Sequence, residues 1–530
     1  MWNQLLIRIS RFTCRIAIFL ERRKLFRGFG APEITQLKLL NQLQKNLKAS
    51  SRVQQFQWSS RSDYVDFVKK IPVVTYEEIE SLIQSQMKNQ NDLISADPVC
   101  FYERTSGSSG SAKFIPYTKS YLKVLNRLFL LWVDDLLNSS IDFKTAKTFL
   151  CVTPALEQPG QCLDAQIGTN TDVDYVAPWA ATFLKRFLIV PLELHAIRDP
   201  SLYRDLLCLY IFSEEDLEII SLWSPSLFFA ILDHWSEHRE RLNQHLLAGK
   251  YEEGERLWTF RKMRQGRFAL LTEIDPDWNA FWSQLKLISC WNEGHAEASA
   301  DALQRLFPNA YLQGKGLLAT EAAVSIPFVK AQKTLPFLTQ IFIEGEDLSD
   351  QMIYPIWEWK LDHEYKIIIS AANGLLRYRL GDIVRVNSFY LKTPVFSFQG
   401  RDGQLMDMVG EKLREDFAFT QLKAICPQLD GNASFFPVQH ERKNYYVLLV
   451  DTALDDLRAE TLDKKLMEAH HYRLARNLGQ IDPIRIEYSR NWTHRYFSLA
   501  EKKGQQLGNV KLSRFHKKIF TPADIEFLRG

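Results

Sequence analysis

The chain has 530 residues, 46% hydrophobic and 24% charged, a composition ordinary for folded protein and a length too great for one compact core. Its 66 basic and 63 acidic side chains leave a net charge of +3, which argues against nucleic acid as a partner. Seven scattered cysteines without a CxxC pair argue against a disulfide framework and fit a reducing, cytoplasmic setting.

In chain order, the first feature is ISRFTCRIAIFLERRK. Arg11 and Arg15 break it before the ~18 apolar residues of a membrane span accumulate. No small-residue cleavage site follows, as a signal peptide would require. Ile9, Phe12, Ile16 and Phe19 fall at helical spacing, and so do Arg8, Arg11, Arg15 and Arg22. Such a basic amphipathic helix either packs on its own domain or makes a weak peripheral contact with an anionic membrane. The rest of residues 1–100 reads as mostly helical, and Thr75 with Glu78 has the spacing of a capping box opening the helix in TYEEIESLIQSQ.

Next comes ERTSGSSGSAKFIPYT. Consecutive Gly, Ser and Thr let backbone N–H groups turn toward one point and admit a ligand closely. Lys113 adds a positive charge, and SYLKVLNRLFLLWVDDLL after it reads as an apolar helix with a partly positive N-terminus. The loop is therefore either a cradle for a polyphosphate or a flexible surface loop. It is not the common P-loop, because no GKS or GKT is present.

KTFLCVTP then reads as a buried strand, and residues 200–250 as long amphipathic helices. FWSQLKLISCW, ADALQRLFP and AYLQGKGLLATE alternate helix and strand. TQIFIEG and EYKIIISAANGLLRYRLGDIVRVNSFY are strands. This order predicts an α/β fold: a large N-terminal domain of α/β subdomains plus a β-barrel-like subdomain or second sheet. Near residue 400 the glycine- and charge-rich FQGRDGQLMDMVGEKLRED suits a linker, and the rest reads as a small α+β domain. HWSEH places His234 and His238 four apart but lacks the glutamate of a zinc protease.

TSGSSGSAKFIP resembles the phosphate-binding signature of the adenylate-forming enzymes, which include acyl-CoA synthetases and luciferases. Within them it is most similar to the plant auxin-responsive acyl acid–amido synthetases. The spacing from Gly110 to Lys113 is one residue shorter than in the plant form, which suggests a bacterial-type or divergent member. GKGLLATEAAVSIP resembles the second nucleotide motif, YRLGDIVRV the third, and GRDGQLMDMVGEKL the hinge segment.

The resemblance implies boundaries at 1–399 for the adenylate-forming domain, 400–410 for the hinge and 411–530 for a mobile C-terminal domain. It implies ATP and Mg²⁺ as cofactors, with a small carboxylic acid and an amino acid as substrates. Thr105, Ser106, Gly107, Ser108, Ser109 and Gly110 would wrap the β- and γ-phosphates, and Lys113 would neutralise them. Thr320 would bond near the adenine or acyl adenylate. Glu321 would be the catalytic Mg²⁺ ligand or, alternatively, a carboxylate at a helix N-terminus. Asp382 would accept the ribose hydroxyls or simply sit in a strand-end turn. Arg401 would stand at the hinge and bind ATP, and Lys511 would be the catalytic lysine or part of a solvated basic tail. An acyl-CoA ligase, with a thiol in place of the amine, and a non-catalytic member of the fold are the alternatives. The acid, the amine and the oligomeric state stay open.

Overall fold

The computed structural model describes residues 2–58, 63–89, 93–106, 112–150, 160–162, 165–167, 185–197, 199–293, 296–402, 405–427, 429, 433–452, 457–503, 514–516 and 518–530. The chain divides into two compact units. The larger comprises Met1–Thr105, Lys113–Trp223 and Glu240–Asp402; the smaller comprises Ser106–Ala112, Ser224–Arg239 and Gly403–Gly530.

In the larger unit the N-terminal region is helical, with α1 (Trp2–Gly28), α2 (Pro32–Leu47) and α3 (Tyr76–Asn89). The Glu78 carboxylate accepts the Thr75 amide at 2.6 Å, the reach-back bond of the expected capping box. Helix α1 packs against α4 (Lys119–Leu137) and buries Ile7, Cys14, Ile18 and Leu25. Arg22 pairs with the buried Asp134 of α4 at 3.3 Å, and the Glu21 carboxylate accepts bonds from Thr339 and Gln340.

Strands β1 (Val99–Ser106) and β2 (Ala112–Thr118) join β4 (Gly160–Cys162) and β5 (Ala165–Ile167) in a four-stranded sheet, order β2-β1-β5-β4. A second sheet is parallel throughout. It orders β8 (Tyr311–Gly314), β7 (Leu287–Cys290), β6 (Leu217–Ser221) and β3 (Lys147–Leu150). Every residue of LEIIS and LISC is buried, as expected where helices cover both faces. Strand β6 falls within residues 200–250, where only long amphipathic helices are expected. Five apolar-rich residues between two helices carry too little periodicity to be told from either.

The strand-rich stretch forms an antiparallel hairpin, β9 (Ser325–Phe328) with β10 (Lys333–Pro336), and a five-stranded antiparallel sheet. The latter orders β12 (Ile353–Pro355), β11 (Phe342–Asp347), β13 (Glu364–Ser370), β14 (Tyr378–Tyr390) and β15 (Thr393–Arg401). Gly345 of β11 leaves room for Trp359, which stacks on Tyr365 at 4.5 Å; a Cβ there would meet the Trp359 ring at 2.6 Å. Arg377, just before β14, is 3% exposed and forms a two-pronged pair with Glu344 at 3.0 Å on both arms. It also donates to the Ile71 carbonyl at 2.9 Å, and Tyr64 donates to Glu344 at 2.9 Å.

The smaller unit holds a three-stranded sheet of β16 (Ala433–His440), β17 (Lys443–Val450) and β18 (Arg485–Tyr488). The first pair is an antiparallel hairpin and the third strand runs parallel to the second. Alternation along ASFFPVQH and KNYYVLLV builds two cores. Phe435, Tyr446 and Leu448 face one, with helices Glu415–Ile425 and Ala459–Leu466; Phe436, Val447 and Leu449 face the other, with Trp492, Phe520 and Leu528. Helix α6 (Ser226–Glu237; α5 is Pro200–Ser213) also belongs to this unit. Gln480 donates to Ser226 at 3.1 Å, and Arg442 lies 5.3 Å over the Phe229 ring and 3.9 Å from Asp233. His234 is buried in α6, and His238 Nδ1 lies 3.0 Å from the His234 carbonyl.

His516 stacks on Phe436 at 4.1 Å, and burial pushes its pKa down to about 4. A buried neutral imidazole favours folding above the ordinary histidine pKa, and the advantage is lost as pH falls from 6.5 toward 4. Relative to the parent, His516→Leu is therefore expected to gain up to about 3 kcal/mol between those limits. Urea unfolding across pH checks this; a constant difference between the two profiles would refute it.

Candidate nucleotide site

The first three sequence motifs each supply described residues of the larger unit, among them Lys113, Thr320, Glu321 and Asp382. On β2, residues 113, 115 and 117 share one face. Ile115 and Tyr117 are buried, and Lys113 stands at the rim with its side chain 15% exposed. Its ammonium lies 3.6 Å from Glu77 Oε1 and 5.2 Å over the Tyr76 ring. Tyr76 accepts the Phe114 amide at 2.8 Å, which fixes the strand next to the lysine.

The second motif folds back on itself. The Ala319 amide donates to the Ala322 carbonyl at 3.0 Å, and Leu318 bridges Ala323, so Thr320 and Glu321 sit at a turn. The segment after it is strand β9, so the helix N-terminus offered as an alternative for Glu321 does not form. Glu321 is 8% exposed. The Tyr117 hydroxyl donates to the Thr320 carbonyl at 3.0 Å. The Tyr378 hydroxyl donates to Glu321 Oε1 at 3.4 Å, and Asn373 Nδ2 donates to the Glu321 carbonyl at 2.9 Å. Burial, and then the Glu321 charge, push the Tyr378 pKa far above that of a free phenol. The hydroxyl therefore keeps its proton and stays a donor.

The third motif is β14. Asp382 lies inside this strand, 1% exposed and directly opposite Arg401 of β15, so it is not a strand-end turn. Gly381 before it adopts φ +85°, a conformation that favours glycine, and its carbonyl accepts the Asp402 amide at 2.7 Å. Thr105 and Ser106 close β1, and Arg401 ends β15. Gly107, Ser108, Ser109, Gly110 and Lys511 lie outside the described residues.

Tyr117, Tyr378, Asn373 and Lys315 are functional candidates that sequence reasoning gave no role, although three of them lie in motifs already quoted. Lys315 donates to Ser221 Oγ at 2.6 Å and lies 5.6 and 5.4 Å over the Trp132 and Trp223 rings. Ser221 ends β6, so this cluster marks the carboxyl end of the parallel sheet, where open α/β sheets bind ligands. At the opposite end, Arg261 and Lys147 pair with Glu214, and Arg261 also pairs with Asp216.

Among the described residues no three His, Cys, Asp or Glu side chains gather as metal ligands. Glu321, buried at the turn, offers a single carboxylate as a hard oxygen donor. That donor set fits Mg²⁺ carried mainly by substrate phosphates and does not suit a protein cage.

A mixed α/β protein, with a parallel sheet, an antiparallel sheet and a smaller second unit, is thus the class that this architecture defines. The solved structure of AtGH3.15 acyl acid amido synthetase in complex with 2,4-DB has the same fold. Its TM-score is 0.61 at 19% identity, over 95% of this chain and 94% of that one.

The chain belongs to the GH3 family: residues 28–312 match the GH3 family N-terminal domain and residues 335–401 the GH3 family central domain. It is 24% identical over 406 residues to indole-3-acetic acid-amido synthetase GH3.15 of Arabidopsis thaliana, covering 67% of this chain and 65% of that protein. Jasmonoyl--L-amino acid synthetase JAR4 of Nicotiana attenuata is 22% identical over 423 residues, 68% of each chain.

Proposed function

We propose that this protein is an ATP-dependent acyl acid–amido synthetase. It adenylates a small carboxylic acid, releasing pyrophosphate, and then transfers the acyl group to the amine of an amino acid. The observation that carries the reading is the pair of tyrosine bonds. Tyr117, on the strand of Lys113, and Tyr378, at the start of the Asp382 strand, both hold the Thr320–Glu321 turn. Three motifs that are far apart in sequence are thereby tied to one place, as a shared substrate requires. The names of the family's amido synthetases support the same reading.

A carboxylate cannot expel hydroxide when an amine attacks it, so the acid must first be activated. Its oxygen attacks the α-phosphorus of ATP; the bond to the β-phosphate oxygen breaks and pyrophosphate leaves with the electron pair. The amine then attacks the acyl carbon, AMP leaves, and the nitrogen loses a proton. The protein's part is positioning and charge. Lys113 neutralises the departing pyrophosphate alongside the N–H groups of the loop from Thr105 to Gly110. Asp382 accepts the ribose hydroxyls from a fixed strand position beside Arg401. Thr320 holds the adenylate, and Lys511 neutralises the attacking carboxylate and α-phosphate. Glu321, oriented by Tyr378, is the side chain that would hold Mg²⁺, which supplies Lewis-acid stabilisation to the phosphate oxygens when bound. Residues 400–410 are the hinge between an adenylate-forming domain over 1–399 and a C-terminal domain over 411–530.

Pyrophosphate release from ATP and Mg²⁺, measured across a panel of carboxylic acids with each amino acid or CoA as acceptor, tests the reading. The expected result is acid-dependent release and an amide with one amino acid. Completion only with CoA would make the protein an acyl-CoA ligase. Absence of ATP binding would make it a non-catalytic member of the fold.

A further inference from the structure

Helix α1 has two apolar faces. The inner one, Ile7, Cys14, Ile18 and Leu25, is buried in the larger unit. The outer one is Leu5, Ile9, Phe12, Ile16, Phe19 and Leu20, each between 45% and 69% exposed. Six of the sixteen exposed large apolar side chains among the described residues therefore lie on one helix. Single exposed apolar residues need no explanation, but a continuous row marks a surface that meets something. The row spans four turns and is held outward, because Glu21 and Arg22 fix the same helix to the body of the unit.

Charge indicates the occupant. The helix carries seven basic residues against one acidic residue, twice the net charge of the whole chain. Arg8 and Arg15 are exposed along one border of the apolar row, and Arg23, Lys24 and Arg27 are exposed toward its end. A second copy of this face would bring like charges together around the apolar contact. An anionic lipid surface instead receives the apolar row among its acyl chains and pairs the basic border with its headgroups. No helix among the described residues is long and apolar enough to cross a membrane, so the contact is one of lying on the surface.

We propose that the outer face of α1 docks the protein on an anionic membrane surface. The test is cosedimentation of the full chain with phosphatidylcholine vesicles, with and without phosphatidylserine. Binding is expected only with phosphatidylserine, and it should weaken as salt rises. Arg8→Gln with Arg15→Gln should weaken it about thirtyfold. Phe12→Asp with Ile16→Asp should abolish it. Both pairs are exposed, so the thermal midpoint should not move in either variant. Failure to bind phosphatidylserine vesicles, or binding that neither variant changes, would overturn the proposal. So would a parent that sediments as a dimer and becomes monomeric with the aspartate pair, because the face would then belong to a second copy.

Discussion

Glu321→Gln is expected to lower acid-dependent ATP–pyrophosphate exchange by about two to three orders of magnitude, the usual scale for removing one group that stabilises transition-state charge. Glutamine keeps the shape and can still accept the Tyr378 hydroxyl, 3.4 Å away in the parent, so the turn should hold and the fold should be unchanged. Only the charge is lost. Raising Mg²⁺ should recover part of the rate if the carboxylate holds the ion. Tyr378→Phe leaves the charge but frees the carboxylate to rotate, and should cost less than Glu321→Gln. Full exchange activity in Glu321→Gln would mean that the turn is structural and that its approach to the Lys113 strand serves packing alone.

The second large effect concerns stability. Arg377 and Glu344 have side chains only 4% and 1% exposed, so removing one partner leaves an uncompensated charge in the interior. Arg377→Met is expected to destabilise the larger unit by about 3–5 kcal/mol. The double variant Arg377→Met with Glu344→Leu should recover most of that loss, because no buried charge then remains. Urea titration of the parent, both single variants and the double variant measures the coupling. If the double variant is no more stable than Arg377→Met, the bonds from Arg377 to the Ile71 and Val68 carbonyls, at 2.9 and 3.3 Å, would be the main contribution and not the ion pair.

The elements nearest the candidate site were legible because their signals are local. The capping pair Thr75 and Glu78, the apolar helix over Lys119–Leu137 and the alternating strands of the YRLGD segment all follow from neighbouring residues. What joins them was not legible. Tyr117 and Thr320 are 203 positions apart, and nothing in the sequence of either signals the other. Glu344 and Arg377 likewise find each other only through the sheet. Strand β6 was read as helix, because five residues do not establish a period. Helix α1 shows a subtler limit. Helical spacing picked out Ile9, Phe12, Ile16 and Phe19, yet the packed face is the other one. A helix with two apolar stripes has a clear period but no sign of which stripe meets the core.

The composition of the smaller unit bears on how the chain is made. Its segment Ser224–Arg239, which carries α6, is synthesised well before Gly403–Gly530 exists. Arg442 and Gln480, the residues that contact Phe229 and Ser226, are synthesised more than 200 residues after Arg239. The nascent chain must therefore keep an apolar helix waiting while some 200 further residues are added. The C-terminal segment cannot be completed in isolation either. Expressed alone from Gly403, it lacks one of its own helices, and it should regain stability when that helix is supplied as a separate peptide.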